Sequence, residues 1–282
     1  MPCPTRWNSL FDALALVVSL MASQPAAFDS LFHDLDISGP LSSAEKLAVQ
    51  DYVAVMRPLC ESLDLLQADN GAYLGCLLPY LAGAMLLTEK RAAKHPGGGL
   101  LANVIVNDIR KRFNKDFKDD NTRLAAGFHP RFKTHWLKRP EEREALRLLM
   151  VDALSNWYAK QGPPPPAVEP DHSSDDDDDE DETLTLGTMY ANEKWRRNQP
   201  QNAAAEVDQF IQAGVAGNSW REDLQLPGIR SLFLQYNTPI PSSAAVERLF
   251  SVGKDVLRPK RTSMTDANFN KVMFLQTNEF VL

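Results

Sequence analysis

Apolar residues recur along most of this chain at intervals of three and four, the repeat that lines one face of a helix. With Ser9 as an N-cap and Asp12 at the third helical position, Leu10, Leu14, Val17 and Met21 form one stripe at steps of four, three and four. The stretch "SSAEKLAVQDYVAVMRPLCESLDLL" opens with Ser42 and Glu45 at capping-box spacing. It continues through Leu47, Val49, Val53, Met56, Leu59, Leu63 and Leu66, and Pro58 is expected to kink or divide it. "AYLGCLLPYLAGAMLLTEK" and "LLANVIVNDIRKRFNKDF" predict two more helices, parted by the breaker "HPGGG", whose Gly97 to Gly99 read as a flexible turn lacking the Lys-Ser/Thr of a phosphate loop. "EEREALRLLMVDALSNWYAK" predicts another, with Pro140 before an acidic first turn and Lys160 at its end.

Later in the chain "AAAEVDQFIQAGV" and "LPGIRSLFLQYN" are helical candidates, the second with Pro227 near its start, where a missing amide proton costs little. Ser243 can cap a helix whose apolar stripe is Val246, Leu249, Phe250, Gly253 and Leu257, ended by Pro259. Glu247 falls at the edge of that stripe, with Ser251 one turn on and Lys254 two turns on, while Arg248 points the other way. "TDANFNKVMFLQTNEF", capped by Thr265, is apolar on most sides through Phe269, Val272, Met273, Phe274 and Leu275, so it is expected to be buried against another copy. No strand pattern appears. The expected class is mainly α: a bundle of five or six helices followed by further helices near the end.

Charge divides this pattern. From Glu169 to Glu182 the chain carries ten acids and no Lys or Arg, so a net charge of −7 becomes +3 without them. Four prolines precede the acids in "GPPPPAVEPDHSSDDDDDEDE", and such a segment has nothing to bury. Residues 161–186 are therefore expected to be a disordered linker between a helical domain at 1–160 and a terminal region at 187–282. Ser173 and Ser174 suit an acid-directed kinase, and the acids could compete for the chain's own basic surface. With 282 residues the chain can bury a core unaided, and Cys3, Cys60 and Cys76 have no metal-ligand spacing. His33, His95, His129, His135 and His172 show none either, so no metal site is expected. The longest apolar run, "LFDALALVVSLM", is too short to span a membrane and is broken by Asp12, so a soluble intracellular protein without a membrane partner is expected.

Three basic clusters are candidates for phosphate contact. One holds Arg110, Lys111, Arg112, Lys115 and Lys118, diluted by Asp116, Asp119 and Asp120. A second, "HPRFKTHWLKR", interleaves Arg131, Lys133, Lys138 and Arg139 with Phe132 and Trp136. Lys254, Arg258, Lys260 and Arg261 make the third, where cations also complement a helix C-terminus. Taken alone, each cluster reads first as a solvated surface.

The order of pieces is what carries a resemblance. "PTRWNSLFDAL", "FHPRFKTHWL", "EVDQFI" and above all "LPGIRSLFLQYNTPIPSSAAVERLFSVGKDVLRPKRTSMTDANFNKVMFLQTN" resemble the second half of a hAT superfamily transposase, including its zinc finger BED-type relatives. The last block is similar to the hAT C-terminal dimerisation region. The resemblance implies that the final helices belong to an incomplete ribonuclease H-like fold, that the helical part is the domain inserted into it, and that the protein is nuclear. It further implies association through Leu249, Phe250, Phe269, Val272, Met273, Phe274 and Leu275 with itself or related hAT proteins.

In complete members, the resemblance implies, two aspartates and one glutamate hold two Mg2+ ions that clamp the attacking and leaving oxygens. Glu247 matches that glutamate. Both aspartates are expected upstream of the "TRW" motif, yet only six residues precede Trp7. One carboxylate holds Mg2+ weakly without a phosphate or second acid, so no cofactor and no cleavage by this chain alone are expected. Arg6 and Trp7 match the family's Arg-Trp pair, in which an indole can stack on an unpaired base. Val246 replaces the family's Ser before the Glu-Arg pair, and His129 replaces an acid before "PRFK", which puts any salt bridge at that turn in doubt. The expected activity is dimerisation with weak DNA binding. The rivals are a piece of an active transposase whose aspartates lie upstream or arrive in trans, and a helical scaffold that never meets DNA.

Overall fold

In the computed structural model the described residues are 8–34, 39–68, 71–161, 203–213, 224–244, 247–248, 250–251, 256 and 264–277. Among them every regular element is a helix, so the protein is mainly α. None of these helices is long and apolar enough to cross a membrane. The chain forms two compact units, residues 1–115 with 239–282, and residues 116–238. Those limits fall at other places than the composition boundaries at 160 and 187.

The first unit is arranged around one long helix. It contains α1 (Asn8–Ser23), α2 (Pro25–Asp34), α3 (Ser43–Leu66), α4 (Leu77–Ala92) and α5 (Gly99–Arg112). The capping box is present at α3: the Ser42 amide donates to Glu45 Oε2 at 2.8 Å and the Glu45 amide to Ser42 Oγ at 3.3 Å. Those bonds hold the Glu45 carboxyl below its ordinary range. Pro58 does not divide α3, which runs unbroken for 24 residues. An interior proline costs a helix about 3 kcal/mol, and packing on both sides outweighs it. Phe11 of α1 lies under the Arg57 guanidinium at 5.7 Å. On the α4 side, Ser62 Oγ donates to Pro58 O at 2.8 Å and to Tyr80 O at 3.3 Å, and Thr88 Oγ1 donates to Val55 O at 3.5 Å. Val53, Val55, Met56 and Cys60 are buried, and each buried side chain of this size contributes about 1.5–3 kcal/mol.

The expected core stripe of α1 holds at Met21, with Leu14 and Val17 half-buried, and fails at its first position. Phe11 and Met21 are buried, whereas Leu10 is 46% exposed. Helix α1 begins at Asn8, so Ser9, expected to cap it, lies inside the helix, and the larger ring of Phe11 is buried where Leu10 was expected. The glycine turn is also corrected. Pro96–Gly98 forms a single 3-10 turn packed on α3, with His95 Nδ1 2.9 Å from Asp51 Oδ1. A Cβ on Gly98 would stand 2.5 Å from Val55 Cγ2, and one on Gly97 would strike the Asp51 carboxylate. Close approach, not looseness, selects glycine there. Cys60 and Cys76 are buried thiols, and burial, followed by Asp64 and Asp12, pushes Cys60 up to about 12. At the other end of the chain, Pro239 O accepts from the Leu74 amide at 3.1 Å and Ser242 Oγ donates to Leu66 O at 3.2 Å. Helix α10 (Asp266–Thr277) follows, with the Asn268 amide 3.4 Å from Thr265 Oγ1, as expected of a cap.

The second unit packs α6 (Asp120–Gly127), α7 (Pro140–Gln161), α8 (Ala203–Gln212) and α9 (Pro227–Asn237). Its core holds Phe128, Leu146, Met150, Leu154, Val207, Phe210, Ile229, Leu232 and Phe233. Asp119 caps α6 by accepting from the Thr122 amide at 2.8 Å. Two polar fasteners join elements distant in sequence. Arg147 of α7 grips Asp208 of α8 through Nε and NH2 at 2.5 and 2.7 Å, and Asn237 Nδ2 donates to Ala125 O at 3.0 Å. The bidentate grip holds Asp208 below the ordinary carboxylate range.

Candidate functional site

Glu247 stands on its own turn. Its amide donates to Ser243 O at 2.9 Å, and Ser243 Oγ donates to Glu247 Oε1 at 2.6 Å. Both residues are exposed. Among the described residues no three His, Cys, Asp or Glu side chains gather into a metal-holding group. A carboxylate with one oxygen held by a neighbouring hydroxyl is a poor fit to a paired-ion site, which takes several acids. Arg6, Trp7, Leu249, Lys254, Arg258, Lys260 and Arg261 lie outside the described residues, and so does the acidic tract.

The end of α5 presents its cations outward. Arg110, Lys111, Arg112 and the following Lys115 are all exposed. Arg110 NH2 meets Glu89 Oε1 at 3.1 Å and Arg112 NH2 meets Asp108 Oδ2 at 3.4 Å. Surface pairs of this kind are worth about 0–1 kcal/mol, so a phosphate can displace either acid at small cost.

The "HPRFK" segment of the second unit divides its charges. Arg131 is exposed, with its guanidinium 5.8 Å above the Phe132 ring. Lys133, expected to contact phosphate, is instead 1% exposed, with φ of 50° and Nζ 4.7 Å over the Phe210 ring. Inside the unit its ammonium makes a cation–π contact. His129 is equally buried, edge-on to Phe233 at 5.6 Å, and its Nδ1 accepts from the Arg131 amide at 3.3 Å. Burial, then the Arg131 charge, holds its pKa down at about 3, so the ring is neutral. A neutral imidazole acceptor thus closes this turn. The Trp136 indole Nε1 is buried without a hydrogen-bond partner, so its N–H is turned inward.

The apolar set splits as well. Phe250, Phe274 and Leu275 are 71%, 65% and 53% exposed, while Phe269, Val272 and Met273 are half-buried. On α10 the exposed large apolar side chains are therefore the adjacent pair Phe274 and Leu275.

Sequence reasoning missed three arrangements: His95 with Asp51, Arg147 with Asp208, and Tyr158 with Glu206. Each joins residues at least 44 positions apart, and no local spacing announces such a pair. No protein-family model and no curated protein matches the chain.

Proposed function

We propose that the chain is a transposase-derived protein of the hAT type that associates through its C-terminal helices and binds DNA weakly, without cutting it. On this reading the helices from Ser243 onward are the end of an incomplete ribonuclease H-like fold, the protein works in the nucleus, and its partners are a second copy or a related hAT protein. The observation that carries it is the exposure of Phe250, Phe274 and Leu275, in the block that resembles the dimerisation region. Burying each such side chain contributes about 1.5–3 kcal/mol, and two-fold symmetry would count each twice.

Sedimentation velocity of the full chain tests the association. The wild type should run as a dimer or larger, and Phe274→Glu with Leu275→Glu should shift it to monomer with an unchanged circular dichroism spectrum. A monomeric wild type at tens of micromolar would remove the proposal's main support. Arg110, Lys111, Arg112, Lys115 and Arg131 are the described residues that carry the DNA part, because their charges are exposed. No gel shift at low salt would favour a helical scaffold. Mg2+-dependent strand transfer, lost in Glu247→Gln, would favour a piece of an active transposase.

A further inference from the structure

Glu206 is the one carboxyl group among the described residues of α8 that is fully buried, at 1% exposure. Its Oε2 accepts from the Tyr158 hydroxyl of α7, while Oε1 is buried and makes no hydrogen bond of ordinary geometry. The first turn of α9 closes over that oxygen. A Cβ on Gly228 would stand 3.2 Å from Oε1 and 2.5 Å from Leu154 Cδ1, so glycine is what lets α7, α8 and α9 meet here. We infer that Glu206 is a proton-operated latch: as the neutral acid it locks α8 between α7 and α9, and loss of the proton loosens α8.

The surroundings explain why the proton matters. An ionised carboxylate in an apolar pocket costs several kcal/mol unless paired and hydrogen-bonded. On its own helix, Asp208 is turned to Arg147. From α7 the group facing Glu206 is the Tyr158 hydroxyl, and Glu144 is turned to Arg147 at 3.0 Å. From α9 it is the Ile229 amide, while Arg230 is exposed. The segment between α6 and α7 brings Lys133, whose Nζ lies over Phe210, and the buried His129. Burial raises the Glu206 pKa above its ordinary 4.5, against the opposing pull of Tyr158 and the Ile229 amide. A raised carboxyl pKa makes the folded state hold its proton longer than the unfolded chain. The latch is closed at the acidic end and opens as pH rises through the folded-state pKa. None of this depends on DNA binding or self-association.

Hydrogen exchange of the full-length chain, followed by mass spectrometry on peptides covering 203–212 between pH 5 and 8, tests it. Rates are divided by the intrinsic rate at each pH, and Glu206→Gln is compared with wild type so that His129 titrates equally in both. The amide of glutamine mimics the neutral acid. The ratio of variant to wild-type protection in α8 should rise at least about fivefold from pH 5 to pH 8. A ratio that stays constant overturns the latch. If Glu206→Gln does not fold, Tyr158→Phe keeps the carboxyl and removes its donor. Wild-type protection of α8 should then fall less across the same range than that of the variant, and an equal or greater fall in the wild type overturns the latch too.

Discussion

Substituting Gly98 by alanine puts the packing of the glycine turn to a direct test. The new Cβ would lie 2.5 Å from Val55 Cγ2 and 3.3 Å from the Asp51 carbonyl oxygen, and Val55 is fully buried. Neither neighbour moves freely, because one is a core side chain and the other is backbone of α3. Overpacking of this kind costs about 1–3 kcal/mol. In a unit of this size that lowers the melting temperature by roughly 2–4 °C for each kcal/mol. Val55→Ala alone removes two buried methyl groups and leaves a small cavity, costing about 2–3 kcal/mol. The double variant is the deciding measurement, because removing Cγ2 vacates the space that the new methyl needs. Chemical unfolding of all four proteins should show the pair coupled by at least about 1 kcal/mol, with the double variant more stable than the sum of the singles. Additive losses, or a neutral Gly98→Ala, would refute the claim that close approach to α3 selects glycine. The same outcome would restore the reading of a loose turn.

Three further outcomes follow from named side chains. Changing Lys111, Arg112 and Arg131 to Ala should weaken DNA binding and reduce the slope of log K against log salt by about one for each phosphate that is no longer neutralised; an unchanged slope would take these residues out of the interface. His129, held neutral down to about pH 3, binds a proton more readily in the unfolded chain. Its contribution to stability is complete above about pH 6.5 and is lost progressively as pH falls toward 3, so His129→Gln should flatten the acid limb of a denaturation-versus-pH curve. Asp208→Asn breaks a bidentate pair whose partners are 26% and 37% exposed. It should cost on the order of 1 kcal/mol after screening by solvent, read as a shift in the urea midpoint, and a loss below about 0.3 kcal/mol would reduce the pair to a surface ornament.

Where residues within one turn decided where an element starts, sequence and structure agree. The Ser42–Glu45 box, the Thr265 start of α10 and the helical run from Pro227 all depend on residues within one turn of each other, and neighbours in sequence determine them. Disagreement begins where a partner lies far away. Asp51 and Ser62 are polar residues on buried faces of α3, because His95 and the Tyr80 carbonyl wait there to receive them. Pro58 looked like a break because sequence displays its missing amide and conceals the two packing faces that compensate it.

Arg131 and Lys133 make the same point about the candidate site. They sit two positions apart in one basic motif, alike in charge and flanked by the same phenylalanine. In the folded unit Arg131 keeps its guanidinium in solvent, while a left-handed backbone at Lys133 turns its ammonium onto Phe210. Only the first can release counterions from a phosphate backbone, since the second would first have to abandon its place in the core. The two residues therefore separate the effects that a whole-patch alanine scan mixes. Lys133→Ala should lower the stability of the second unit, and at a temperature where that unit stays folded it should leave DNA affinity and its salt slope unchanged. Arg131→Ala should do the reverse. A Lys133→Ala variant that melts like wild type yet loses affinity would place this lysine at the surface and overturn the division drawn between them.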